Sequence, residues 1–390
     1  MMSQLNIDSK ISKTDYLIAT LFFACGGNGL IIGYQWYAFV IVLVMYVLCK
    51  KRNIKMPSKV LAVYLLALLM IAVLQYMTLP KVSSPAYFNF AAKLVAGCLM
   101  ISFLGCKFRM AYLRVCTFFC AISLVFWAIH LVHPFTFGIP VERSKSFVAW
   151  SYFVGTDSFR NQGMFWEPGA FQGYIMMVPI VFIDKLKEIW RNERRSCLIL
   201  IAALATTMST TGYVVFAFLV GMYLIKGINN VLLKFVFVMA FVFGSVYAYY
   251  SFDFLGEKIS SQYENAVDLD YGDSGAMQGR MSTMFIDAEI IKNHPIIGNS
   301  FDNDMKYGVY ADIMAFSGNC LSGFMTTLGI PFLLLYLIGL YRSRFSASPY
   351  FRFVALGAIC LVFYGESFYN FIPYWGLLFA TYRQDDYLIY

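Results

Sequence analysis

The chain has 390 residues, of which 60% are hydrophobic and only 13% charged, and its mean hydropathy is +0.65. A soluble domain carries about 25% charged residues, so this composition excludes an ordinary water-soluble fold. The net charge of +8 calls for no nucleic-acid partner, because the basic residues are spread as a topology signal instead of gathered in one patch.

Apolar runs near the length that crosses about 30 Å of hydrocarbon recur along the chain, for example at 60–77 and 231–252. The sequence predicts an all-α polytopic membrane protein with about twelve spans. They fall near 15–33, 35–49, 58–77, 89–105, 115–133, 169–184, 197–208, 211–226, 233–251, 318–340, 353–366 and 371–382. The first run lacks a small-residue cleavage site and reads as an uncleaved span. With the N-terminus cytoplasmic, most of the 30 lysines and arginines fall on the cytoplasmic side, including Lys50, Lys51, Arg52, Arg191, Arg194 and Arg195. The positive-inside rule fixes this orientation and puts the C-terminus in the cytoplasm too. Most of the 22 acids fall on the opposite side, with a dense group between residues 257 and 312. The nine cysteines sit in or beside spans without a C-x-x-C pair, which indicates neither a disulfide framework nor a zinc site.

Two outer segments, 134–168 and 252–317, are long for connections and are the expected carriers of function. In the first, the run Arg160-Asn-Gln-Gly-Met-Phe-Trp-Glu-Pro-Gly169 ends where a helix is expected to begin. Pro168 suits a first helical turn. The unpaired N–H groups there make an anion site by geometry and dipole. Arg160 adds a permanent forked charge matched to phosphate. Glu167 is placed to orient Arg160 or to accept a proton from a sugar hydroxyl; the bland alternative is a capped helix beside a surface arginine. In the second segment, apolar residues at 281, 284, 285, 288 and 291 predict an amphipathic helix on the outer face, ended at His294-Pro295.

Several smaller signals are weaker. His130 and His133 share a helix face but have no third ligand in view, so they read as interfacial histidines. The run 268–273 resembles a calcium loop with its glycine misplaced, and is rejected. Gly272-Asp273-Ser274-Gly275 lacks any protease scaffold. Ser209 to Gly212 form a tight turn whose hydroxyls line a cavity or cap a helix. Lys93 is a clear charged candidate inside a span, either lining a lipid-phosphate path or snorkelling outward.

The pattern R-x-x-G-x-F-W-E-P-G-A-F at 160–171 resembles the outer-loop signature of the O-antigen polymerase and ligase superfamily. So does Gly279-Arg280 followed by Pro295-Ile-Ile-Gly-Asn-Ser-Phe301, where Asn299-Ser300 replaces the usual x-Gly ending. The resemblance implies a GT-C-like helical enzyme with two functional periplasmic loops in the bacterial inner membrane. It implies that Arg160 and Arg280 grip pyrophosphate and that Glu167 is base or orienter. It places Gly163, Trp166, Gly169, His294 and Asn319 at the substrate surface. The implied substrates are undecaprenyl-pyrophosphate-linked oligosaccharides, with membrane lipid and a chain-length regulator as partners and no metal or cofactor. Ligases of the superfamily carry His-Asn where this chain has Gly318-Asn319, which favours polymerase over ligase. A lipid-linked oligosaccharide flippase is the non-enzyme alternative.

Overall fold

The computed structural model describes residues 11–28, 31, 36–133, 136–137, 150–151, 159–230, 232–234, 236, 239, 280–308, 311, 317–343 and 345–380. Leucine, valine, phenylalanine and alanine dominate these stretches, and in a bilayer such chains satisfy their backbone groups internally as helices. The helices are α1 (Lys13–Ala24), α2 (Tyr37–Lys51), α3 (Ser58–Thr78), α4 (Ser84–Leu104), α5 (Phe108–Val132), α6 (Pro168–Val181), α7 (Leu186–Asn192) and α8 (Arg194–Thr206). They continue with α9 (Thr210–Gly227), α10 (Arg280–Ile291), α11 (Asn303–Tyr307), α12 (Cys320–Leu328), α13 (Ile330–Arg342), α14 (Pro349–Gly365) and α15 (Ile372–Gly376). The only sheet among the described residues is a two-residue antiparallel pairing of Thr136–Phe137 (β1) with Trp150–Ser151 (β2).

The two ends of the bundle differ in chemistry. At one end Asp15 meets Arg52 at 3.3 Å and Lys107 at 3.1 Å, and Arg114 donates to the Tyr16 hydroxyl. We call this the basic end. At the other, Lys81 pairs with Asp302 and Asp304, and Tyr87 packs edge-on to Phe301. This is the loop end. α4 and α5 form one apolar run of 49 residues, but Gly105 (φ 53°) and a 3-10 turn at Gly105–Lys107 reverse the chain there. Phe22 shows the reversal: it packs on Phe108 and Tyr112 of α5 and lies against Gly376, which also abuts Ile101 of α4.

By length and composition three described helical runs can cross a membrane, Ser58–Thr78, Ser84–Val132 and Thr210–Gly227, and the second, reversed at Gly105, holds two helices of 21 and 25 residues. The pair α6 and α7, bent by 103°, raises the number to four. The protein is therefore helical with membrane-crossing helices, but the described helices do not supply the twelve spans the sequence suggests. The shortfall has local causes. The run 15–33 ends as a helix at Ala24, ahead of Gly26 and a Gly27 at φ +131°. The run 318–340 breaks at Gly329 into helices of 9 and 13 residues. The run 371–382 yields five helical residues and a 3-10 turn, with Pro373 and Gly376 inside it; all five are buried, so this segment fills the bundle and faces no lipid. Helices of 15 and 13 residues replace the runs 35–49 and 197–208. The run 233–251 lies almost entirely outside the described residues.

Two sequence readings are borne out closely. α6 starts at Pro168, and an amphipathic helix occupies 280–291. After α10 the chain turns back onto the bundle through a backbone clasp. Asn299 N–H donates to Thr326 O at 2.6 Å and Ile330 N–H to Pro295 O at 2.9 Å. A Cβ at Gly329 (φ +83°) would stand 2.0 Å from Ile296 O, and one at Gly298 (φ +74°) 2.6 Å from Thr327 O, so only glycine permits this approach. Gln75 of α3 locks the clasp by donating to Ile297 O and to Thr327 O.

Candidate functional site

The segment 160–167 is held against three helices at the loop end. Asn161 is fully buried. Its amide nitrogen donates to Ser123 Oγ at 3.1 Å and Thr206 Oγ1 at 3.0 Å, while its oxygen accepts the Gly163 N–H. Asn161 N–H also reaches Thr206 O at 2.9 Å. These bonds fix the neighbouring Arg160, which is half-buried and donates from Nε to Thr207 O at 3.1 Å. One face of the guanidinium fork is thereby oriented. Gly163 adopts φ 57° beneath Phe171. Trp166 packs on Phe371 with ring centroids 4.8 Å apart and planes tilted by 30°, and lies across Gly27.

Glu167 occupies the N-cap of α6 in an extended conformation, and its carboxylate does not cap its own helix. The first turn, Pro168-Gly169-Ala170, is buried, and its N–H groups have no intrahelical acceptor by helix geometry. The expected start of the helix at Pro168, with Glu167 at its N-cap, matches the geometry, and Arg160 is held on Thr207 O at the end of α8. The hydroxyl turn differs. Ser209 is the N-cap of α9 but makes no side-chain capping bond, and Thr211 packs against Gly365 instead.

The second loop segment contributes a cluster that the sequence did not single out. Asp287 of α10 is buried, and its Oδ2 accepts from Ser317 Oγ at 2.5 Å and Ser322 Oγ at 2.6 Å. Its Oδ1 is buried without a hydrogen bond. Lys306 is buried nearby, with Nζ 3.4 Å from Gly323 O and 4.9 Å from the Tyr307 ring centroid. Burial raises the Asp287 carboxyl above its usual range, partly offset by Lys306 and by the serine hydroxyls. Burial alone would lower Lys306, but Tyr369, Tyr307 and Asp287 outweigh it and the ammonium is held above its usual value. Burial lifts the Tyr307 hydroxyl to about 12 despite Lys306. The residue types gave some signal: Asp287 is an acid on the buried side of an amphipathic helix, flanked by Ile286 and followed by Ile290, both buried.

The turn at 366–371 joins the two loop segments. Ser367 Oγ donates to Ser317 O, and Ser317 Oγ donates in turn to Asp287. Four residues on, Phe371 carries Trp166. Phe368 between them packs edge-on to Tyr174 of α6. Glu366, buried at the C-cap of α14, opens this turn.

Other sequence-chosen residues stand as follows. Arg280 opens α10, seven residues before Asp287, and its side chain lies outside the described set. Asn319 caps α12, its Oδ1 accepting from Leu321 N–H and Ser322 N–H, so its oxygen serves the helix. His294 is half-buried in the turn after α10, where its carbonyl accepts the Gly298 N–H. His130 is buried while His133 is exposed, so the two do not share one environment. Lys93 lies one turn before Gly97, whose Cα side meets Gly376, and it makes no hydrogen bond or ion pair among the described residues. The calcium-like run 268–273 and Ser274 fall outside the described residues. No family model matches the chain, and no curated protein matches it.

Proposed function

We propose that the protein is a surface-polysaccharide polymerase, joining lipid-pyrophosphate-linked repeat units on the outer side of a bacterial inner membrane. The observation that carries this reading is the 366–371 turn, which binds the Arg160-to-Glu167 segment to the Asp287–Ser317 cluster of the other loop. In this reading Arg160, Glu167 and the start of α6 from one loop segment work together with Asp287 from the other.

In the proposed reaction, a hydroxyl oxygen of the incoming unit forms a bond to the anomeric carbon of the growing chain. The bond from that carbon to the pyrophosphate oxygen breaks, and the electron pair leaves with the pyrophosphate. The hydroxyl proton passes to a carboxylate, for which Glu167 is our assignment. Arg160 and Arg280 stabilise the developing charge on the leaving group, as preorganised donors do in a water-poor site. Undecaprenyl-pyrophosphate-linked oligosaccharides are the implied donor and acceptor, with a chain-length regulator as the protein partner. Both termini are cytoplasmic in this reading.

A strain lacking the protein tests the assignment. Surface glycan reduced to a single repeat unit supports a polymerase, whereas complete loss of surface-attached glycan replaces it with a ligase or flippase. A cysteine placed at Ser274 tests the orientation: it reacts with a membrane-impermeant maleimide in intact spheroplasts. Labelling near Asn192 instead inverts the topology.

A further inference from the structure

A second site lies at the opposite end of the bundle. α6 and α7 meet at 103°, so α7 turns away from α6 and leaves a groove bounded by α6, α7, α8 and α9. The groove holds about 510 Å³ and its walls are apolar, with Ile175 and Val178 from α6, Phe182 just after it, Leu204 from α8 and Phe216 from α9. It runs from the middle of α6 to α7, where Lys187 and Trp190 close it. Leu198, Ile201, Val220 and Leu224 around it are exposed. Its surroundings are therefore the hydrocarbon face of the bundle, and an apolar chain is the chemistry that fits.

The rim has a definite charge. Five basic residues, Lys185, Lys187, Arg191, Arg194 and Arg195, lie within eleven positions of one another. The acids among them are already engaged. Asp184 lies 3.9 Å from Arg109, Glu188 pairs with Lys185, and Glu193 accepts from Ser196 and lies 3.8 Å from Arg114. Arg194 sits 5.9 Å over the Trp190 ring. Lys187, Arg191 and Arg195 are exposed and make no ion pair among the described residues. A tryptophan beside unpaired cations at the end of an apolar groove is the arrangement that anchors at a membrane–water boundary and attracts anionic headgroups.

We propose that this groove binds an anionic phospholipid, one acyl chain lying between α6 and α9 and the headgroup phosphate held by Lys187, Arg191 and Arg195. The site is independent of the loop-end chemistry, and its role is to seat the short α7 at the basic boundary of the membrane. Each basic residue near such a surface contributes about 1 kcal/mol, or roughly fivefold in affinity.

The test uses the full-length protein in neutral detergent, titrated with phosphatidylglycerol or phosphatidylcholine whose acyl chains carry bromine. The Trp190 emission is isolated as the difference between wild type and Trp190→Phe. We expect saturable quenching by brominated phosphatidylglycerol at a concentration at least about tenfold below that needed for brominated phosphatidylcholine. Lys187→Gln with Arg191→Gln raises the phosphatidylglycerol concentration needed by about 25-fold and leaves phosphatidylcholine unchanged. Val220→Phe, which keeps the charges and fills the groove, abolishes saturation with either lipid. Both variants are exposed-site changes, and circular dichroism checks that they fold. Equal quenching by the two lipids, or an unaltered titration in the charge variant, overturns the proposal. Undiminished quenching in Val220→Phe overturns the acyl-chain placement.

Discussion

Removing Asp287 leaves the Ser322 hydroxyl without its acceptor, leaves Ser317 Oγ with Asn319 O alone, and takes from the buried Lys306 the carboxylate that favours its charge. Breaking a buried charge arrangement by deleting one member costs about 3–5 kcal/mol, because the remaining ion stays desolvated. Asp287→Ala is therefore expected to lower the local opening free energy of this region by at least about 3 kcal/mol. Cys320 reports on that opening. It is fully buried and accepts the Tyr369 N–H at 3.3 Å, three residues from Ser317. In a variant keeping Cys320 as its single cysteine, reaction with a small thiol reagent requires the region to open. The expected acceleration is about 10²-fold, since each 1.4 kcal/mol is a factor of ten. Adding Lys306→Met removes the stranded charge and returns most of the protection, so the double variant reacts more slowly than Asp287→Ala alone. If Cys320 reacts at the parent rate in Asp287→Ala, or if the double variant is as reactive as the single, the cluster is not held by these charges.

Arg160→Ala is expected to abolish long chains while leaving single-repeat glycan, a loss of about 10²–10³ in rate by analogy with removing one preorganised donor. Arg160→Lys, which keeps charge without the fork, gives short and sparse ladders on the same gels. Gly329→Ala forces a Cβ to within 2.0 Å of Ile296 O at a glycine-only backbone angle, and a strained non-glycine there costs about 1–3 kcal/mol before the clash is counted. Thermal melting of the purified protein is expected to fall for Gly329→Ala and to hold for Gly227→Ala, where nothing lies within 4 Å. Under the proposed polymerase reading His294→Ala is expected to keep most polymerisation, because Gly318 stands where the ligases carry their histidine; loss of long chains at normal protein levels contradicts this.

The sequence made local features legible wherever one residue type sets the backbone. Proline at 168 marked the start of α6, and the i, i+3, i+4 spacing marked α10. Hydropathy failed where it averaged over a break. The run 318–340 is mostly apolar, yet Gly329 divides it, because its conformation is fixed by contact with Ile296, a residue from another loop. The run 371–382 is apolar because it is packed inside the protein, and hydropathy does not distinguish protein interior from lipid. Arg160 and Glu167 were visible through their neighbours in the chain. Asp287, Lys306 and Glu366 were not, because their burial and proximity depend on contacts spanning up to 50 positions, as between Ser317 and Ser367.

The 366–371 turn also dates the site within the life of the chain. The segment around Arg160 emerges from the ribosome some 200 residues before the aromatic rings that support Trp166. Asp287 and Ser317 likewise precede Ser367. Each loop segment therefore waits in the membrane without its shared wall, and the wall arrives last. A ribosome that stalls before residue 366 leaves inserted helices whose two loop segments have never been joined.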